Sequence, residues 1–209
     1  MKIIFDFDHT LFSVDEFYKN FQGSFKKIGI NQVLFKETFE EAKRGKQPYN
    51  PENQFKLIVQ KKSDASLKGL RNNFEKILNK ANKFLYSDVE PFLKKVCNKF
   101  DLYLVSYGDK NFQKKKIEKS GITKFFKKIV ITTDINKSST LKKFLRKNEK
   151  AVFVDDNPEA LSTTKEKFPQ VITIRMNRGE GKYKKEKNNK NIDFCVKNLK
   201  EIEKILSKI

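Results

Sequence analysis

Short, continuous apolar runs recur along this chain, and the period of the hydrophobic pattern changes between them. KIIFDF at residues 2–7 is rich in Ile and Phe without alternation, the signature of a strand covered on both faces. DLYLVS at 101–106, KIVIT at 128–132, AVFVDD at 151–156 and VITIR at 171–175 repeat that signature. Between these runs the apolar positions fall at helical spacing, over 89–99, 110–119, 138–147 and 158–167. Pro158 suits a first helical turn, and Gly121 after KIEKS suits a C-terminal stop. Strands alternating with helices of this length predict an α/β fold, a doubly wound, Rossmann-like parallel sheet with helices on both faces.

The alternation breaks over residues 14–86. Helices are expected over roughly 14–28, 31–44, 52–61 and 64–82, with an interruption at KQPYNPEN and no strand pattern. Phe17, Phe21, Phe25, Phe35 and Phe39 recur at helical spacing, which predicts a packed helical interior. The expected organisation is therefore an α/β core of residues 1–13 and 87–209, with 14–86 as a helical insertion after the first strand. Residues 177–191, NRGEGKYKKEKNNKN, lack any period and predict a mobile surface loop.

Composition narrows the class. With 209 residues, 37% hydrophobic and 34% charged, the chain has room for one globular domain plus a small insertion. No apolar run reaches membrane-spanning length, and the single Lys before IIFDFD does not make a secretory leader, so a cytoplasmic protein without a membrane partner is expected. Cys97 and Cys195 lie far apart without metal-ligand spacing and predict reduced, partly buried thiols. The net charge of +20 comes mostly from lysine spread along the chain, a pattern of a solvated basic surface more than of a nucleic-acid groove. Either way it would steer an anionic substrate inward.

Against that excess, Asp6 and Asp8 stand two residues apart at the end of an apolar run. Carboxylates that close repel one another, and burial adds to the cost unless a cation neutralises them. In an open parallel sheet, ligands bind beyond the carboxyl ends of the strands. That rule gathers Asp6, Asp8, Ser106, Asp155 and Asp156 at one edge, because each set sits at the C-terminal end of a predicted strand. Grouped acids with all-oxygen ligation call for a hard divalent cation, Mg²⁺.

At these residues the chain resembles the haloacid dehalogenase-like superfamily. FDFDHTL is similar to its D-x-D-x-T signature, LYLVSYGD to its strand ending in Ser or Thr, INKSSTLKKF to its lysine segment, and VFVDDNPEA to its closing acidic motif in the double-Asp form. The resemblance implies Asp6 as nucleophile, forming an aspartyl-phosphate, and Asp8 as general acid and base. It implies Thr10 and Ser106 as contacts to the transferring phosphoryl group, and a lysine that neutralises the nucleophile. Lys137 has the closest spacing for that lysine, with Lys142 and Lys143 on the same segment as alternatives. Mg²⁺ would be held by Asp6, the Asp8 carbonyl and Asp156, helped by Asp155; Ala160 stands where Gly-Asp members of the family carry a further acid.

The resemblance implies further that 14–86 is a lid over the site, with hinges near Ser13-Val14 and Tyr86-Ser87. The expected function is Mg²⁺-dependent hydrolysis of a small, anionic phosphate monoester. Alternatives are a phosphomutase, a phosphatase of nucleic-acid ends, a dehalogenase and a non-catalytic binding module. Taken alone, the aspartate pair could form an Asx turn, Ser106, Asp155 and Asp156 could serve as helix caps, and His9 reads as structural or substrate-edge. Arg71 and the lysines of the insertion are candidate anion contacts.

Overall fold

The computed structural model describes every residue except Lys46 and Lys147, which are the first residue of the KQPYNPEN interruption and the last of the expected 138–147 helix. Among the described residues six strands form one parallel sheet: β1 (Lys2–Phe5), β2 (Asp101–Tyr107), β3 (Lys128–Thr132), β4 (Ala151–Asp155), β5 (Val171–Met176) and β6 (Phe194–Val196). Their spatial order is β3-β2-β1-β4-β5-β6, all parallel, so the sheet is doubly wound about β1. Side chains alternate across it: Ile3, Phe5, Val152 and Val154 enter one apolar cluster while Ile4, Ala151 and Phe153 enter the other. Both faces are dry, which is why these strands read as continuous apolar runs.

Between β1 and β2 lie α1 (Val14–Lys26), α2 (Gln32–Ala42), α3 (Pro51–Lys61), α4 (Leu67–Leu78), a 3₁₀ turn at Ala81–Phe84 and α5 (Val89–Val96). Ser13, Asn31, Asn50 and Ser66 cap the first four helices, each side chain accepting from a backbone N–H of the first turn. Helix α1 buries Phe17, Phe21 and Phe25 at intervals of four, one stripe of its surface. Phe21 packs edge-on to Phe25 and Phe35 at 4.7 and 4.8 Å and lies 4.8 Å from Phe74. Phe17 continues the chain of rings to Phe12, Phe84 and Phe112. The insertion thus shares one continuous apolar cluster with the larger face of the sheet. The two connecting segments run side by side, Phe12 bridging Leu85, Ser13 N–H donating to Phe84 and Tyr86 N–H to Leu11.

The rest of the chain covers the sheet with α6 (Lys110–Lys119), α7 (Ser138–Leu141), α8 (Pro158–Lys167) and α9 (Leu199–Leu206). Three expectations change here, and one strand appears that no pattern predicted. Helix α7 ends at Leu141 rather than continuing to 147: the amides of Lys143 and Phe144 bond three residues back, and the turn lets the adjacent Phe144 and Leu145 both pack into the smaller cluster. The helix expected over 89–99 stops at Val96. Residues 194–196 form an edge strand too short to show a period. Cys97 is half-buried as expected, but Cys195, on that edge strand, is exposed; both are free. No helix among the described residues is long and apolar enough to cross a membrane.

The shared aromatic cluster sets a stability prediction. Phe21 is 1% exposed, so Phe21→Ala should cost about 3–5 kcal/mol in urea unfolding followed by circular dichroism. Val33→Ala, at a residue 76% exposed, should shift the same curve by less than about 0.5 kcal/mol.

Candidate active site

Register brings the site together. Phe5 of β1 sits opposite Leu104 of β2 and Val154 of β4, so Asp6, just past β1, lies level with Asp155 at the end of β4, and Ser106 lies near the end of β2 at the same edge. The Asp6 amide donates to the Val154 carbonyl at 2.8 Å, carrying the pairing one residue beyond the strand. The chain then folds back in a tight turn, with Leu11 and Phe12 amides bonded to the Phe7 carbonyl and the Phe7 and Phe12 rings stacked at 4.9 Å. His9 takes φ 56° in that turn, a left-handed conformation that a side chain makes costly.

Lys137 reaches this edge from the residue before α7, held in the left-handed region at φ 55°. Its ammonium donates to Asp6 Oδ1 at 2.6 Å and to Asp155 Oδ2 at 2.7 Å, and all three side chains are 5% exposed or less. Of the three candidate lysines, Lys137 is thus the one in contact with Asp6. Burial disfavours its charge, but Asp155 and Asp6 outweigh burial and its pKa is raised. Asp155 is committed on both oxygens, since Oδ1 accepts the Asn157 amide at 2.9 Å. Asp6 Oδ2 and both oxygens of Asp156 stay outside these bonds.

One ammonium does not neutralise three carboxylates. Desolvation by burial pushes the Asp6 carboxyl up to about 7 against the pull of Lys137, with Asp155 and Asp8 adding to the rise. Asp156 is held well above the usual carboxylate range by desolvation, then by Asp155 and Asp6. Asp6, Asp155 and Asp156 each offer an oxygen within 4.8 Å of the others. A hard divalent cation fits this all-oxygen, charge-deficient donor set.

Asp8 points to different partners. Its carboxylate accepts from Lys116 and from Gln113, both on α6, and Gln113 also donates to Ser106 Oγ at 2.6 Å. Ser106 is fully buried and does not cap α6; Asp109 does. Thr10 is fully buried with its hydroxyl unpartnered, while its carbonyl accepts from Arg178 at 3.1 and 3.2 Å. Lys116 and Gln113 carried no signal in the sequence beyond their i, i+3 spacing, because any of the chain's lysines could have filled such a role.

The segment 177–191 is an irregular surface segment, as its composition predicts, but it is tethered to the fold at several points. Buried Arg175 on β5 ties it down by donating to the Tyr183 and Glu186 carbonyls and to Asn188 Oδ1, at 2.6–2.7 Å. Arg178 forks onto Asp88 at 2.8 and 2.9 Å and stacks 4.1 Å over the Tyr86 ring. Glu180 accepts from the Ser13 and Tyr86 hydroxyls, touching both connecting segments of the insertion at once. His9 Nδ1 lies 3.6 Å from Glu180, too far for a hydrogen bond. Lys182 and Tyr183 follow and line a cleft of about 250 Å³ together with Asp6, Asp8, Lys137 and Asp156. Burial, then the charges of Asp156 and Asp155, push the Tyr183 hydroxyl pKa up. Arg71, by contrast, pairs with Glu52 at 2.7 Å on a separate cleft between α3, α4 and α6, so the expected anion contact is neutralised away from the aspartates.

The strap approaches His9 so closely that a Cβ at Gly181 would lie 2.9 Å from the imidazole, whereas one at Gly179 meets nothing within 4 Å. Both glycines have φ near +76° to +79°. Gly179→Ala should therefore cost about 1–2 kcal/mol from backbone strain alone. Gly181→Ala should cost a further ~1–3 kcal/mol from the clash, read as the difference between the two thermal unfolding curves.

The profile of the haloacid dehalogenase-like hydrolase family matches residues 3–174 of this sequence. Among solved structures, a protein of Burkholderia xenovorans classed as a haloacid dehalogenase-like hydrolase superposes with a TM-score of 0.78 at 17% identity, over 99% of this chain and 96% of its own. The magnesium-bound YfnB of Bacillus subtilis, classed as a HAD-hydrolase, gives 0.66 at 17% identity, over 98% and 97%. L-2-haloacid dehalogenase of Xanthobacter autotrophicus gives 0.64 at 14% identity, over 100% and 98%. No curated protein matches the sequence. With its doubly wound sheet, its acidic strand ends and a profile match over most of its length, this chain belongs to the haloacid dehalogenase-like hydrolase family.

Proposed function

We propose that the protein hydrolyses a small phosphate monoester through an aspartyl-phosphate, with Mg²⁺ as cofactor. The observation that carries this reading is the unequal environment of two aspartates two residues apart. Asp6 sits against Lys137 beside two further carboxylates, whereas Asp8 turns to a separate pair of donors on α6. A nucleophile and a proton carrier need such different surroundings.

In this reading an oxygen of Asp6 attacks phosphorus in line as the ester oxygen departs, and Asp8 gives that oxygen a proton. Water then attacks the aspartyl-phosphate, Asp8 takes its proton, and Asp6 is released with inorganic phosphate. Lys137 offsets charge on Asp6 throughout. Ser106 and Thr10, buried behind the cleft that Asp6 and Asp8 line, would contact the phosphoryl group, and Lys182 adds a cation to the lining of the cleft. Asp6, Asp156 and the Asp8 carbonyl would hold Mg²⁺, with Asp155 orienting Lys137. The ion would neutralise the acidic cluster and polarise the phosphoryl oxygens. The insertion, resting on the strap and on α6, would act as the lid that excludes water and selects the alcohol portion of the ester. A dehalogenase also uses an aspartate nucleophile but requires neither a second acid nor the surplus carboxylates, so those residues favour the phosphatase.

Two measurements test this. Inorganic phosphate release from 4-nitrophenyl phosphate should require Mg²⁺, disappear with EDTA, and fall below detection in Asp6→Asn. Activity indifferent to chelator, or chloride release from 2-chloropropionate, would replace the phosphatase with a dehalogenase. The second follows from the raised Asp6 pKa of about 7. A carboxyl raised on folding contributes stability that is complete below its unfolded value, near 4, and lost as pH rises through 7. Mg²⁺ binding must displace that proton. The rise in melting temperature on adding Mg²⁺ should therefore be larger at pH 8 than at pH 5.5 in differential scanning fluorimetry.

A further inference from the structure

Asp8 is held by a cluster that the reaction scheme above leaves without a role. Lys116 Nζ lies 2.7 Å from Asp8 Oδ1 and 2.8 Å from Oδ2, and Gln113 Nε2 donates to Oδ2 at 3.0 Å. Both donors are almost completely buried, at 3% and 2% exposure, and sit three residues apart on one face of α6. The ammonium lies 5.1–5.6 Å from the ring centroids of Phe112, Phe12 and Phe7. Phe112 in turn packs on Phe74 and Tyr49 of the insertion at 5.7 and 6.0 Å.

Stability alone does not account for this arrangement. A lysine inside an aromatic cup loses its hydration, and an apolar side chain of similar length would fill the same space without that loss. What the ammonium supplies, and methionine would not, is a fixed orientation of the Asp8 carboxylate. Gln113 extends the constraint by donating its second amide hydrogen to buried Ser106 Oγ, so the Asp8 carboxylate and the Ser106 hydroxyl share one donor. Asp8 nevertheless stays 28% exposed and lines the cleft, so the clamp holds it without sealing it off.

We propose that Lys116 and Gln113 are positioning residues for proton transfer, clamping the Asp8 carboxylate in line with Ser106 so that it meets the departing ester oxygen. The inference rests on the phosphatase reading. It makes the two aspartates dependent on different lysines: Lys137 acts on the nucleophile and Lys116 on the proton carrier. Loss of the clamp should accordingly be felt in proportion to how much the leaving group needs a proton.

The test compares 4-nitrophenyl phosphate, whose phenolate departs readily without a proton, with phenyl phosphate, whose phenoxide needs one. Wild type, Lys116→Met and Gln113→Leu are assayed with Mg²⁺ on both esters. For Lys116→Met, kcat on phenyl phosphate should fall about 10- to 100-fold, part of the range general acid catalysis spans. The decisive ratio is that of kcat/KM on the nitrophenyl ester to kcat/KM on the phenyl ester, which excludes the shared hydrolysis of the aspartyl-phosphate, and it should rise at least tenfold, with KM for each within about threefold. Gln113→Leu should move the ratio the same way by a smaller factor. A purely structural role would lower both activities together and leave the ratio unchanged, which would overturn the clamp. If Lys116→Met does not fold, judged by circular dichroism, the ratio in Gln113→Leu decides. Wild-type protein that hydrolyses neither ester overturns the phosphatase reading itself; a wild type active on both, with an unchanged ratio in the variants, overturns only the clamp.

Discussion

Lys137 puts one ammonium group between Asp6 and Asp155 in a setting almost closed to water, and the rest of the site is arranged around that charge. Each partner alone would be unfavourable there, because a buried charge without a counter-ion forfeits several kcal/mol of hydration. Together they are mutually required, and they need contributions from three places in the chain. Parallel pairing of β1 with β4 brings the two carboxylates to the same level, and the left-handed backbone at Lys137 turns the lysine toward them. That conformation costs roughly 1–2 kcal/mol, which the paired contacts offset. Asp156 is the carboxylate left over, beside Asp6 and Asp155 but without an ammonium of its own.

The second aspartate escapes this electrostatic competition by facing another element. Lys116 and Gln113 come from α6, which packs on one face of the sheet, whereas Lys137 precedes α7 on the other, so the two acids are governed by lysines from elements on opposite faces. The chain is crowded with lysine, yet these two are buried and committed to single tasks. Most of the others form exposed pairs or stand in solvent, where an ion pair contributes little. The charge of +20 is therefore two different things: a diffuse field over the surface and a pair of located cations inside.

The strap after β5 joins these local arrangements to the insertion. Arg178 and Glu180 bind Thr10, Ser13, Tyr86 and Asp88, which belong to the two segments leading into and out of the insertion, and the next residues reach the cleft. A run of Gly, Lys and Asn has no apolar face of its own. Its order comes from guanidinium and carboxylate groups that find partners in the rest of the fold, above all from buried Arg175.

Local pattern determined the parts whose physics is local. Continuous apolar runs specified β1 to β5 because both sheet faces are dry, four-residue spacing of Phe specified α1 and α2, and Asp6, Asp8, Ser106, Asp155 and Asp156 were legible because each lies at or just past the C-terminal end of a strand. Lys137 stood among three candidates that spacing left open; a left-handed backbone at that residue, which no periodicity encodes, decided which one touches Asp6. Lys116, Gln113, Arg178 and Glu180 were invisible in sequence, since a Lys, Gln, Arg or Glu on a polar stretch reads as solvated until its partner is known. Those partners lie 105 and 108 residues away for Asp8 with Gln113 and Lys116, and 167 away for Ser13 with Glu180. Only closure of the sheet brings such residues within bonding distance, and only then does burial strip away the water that would otherwise have satisfied them.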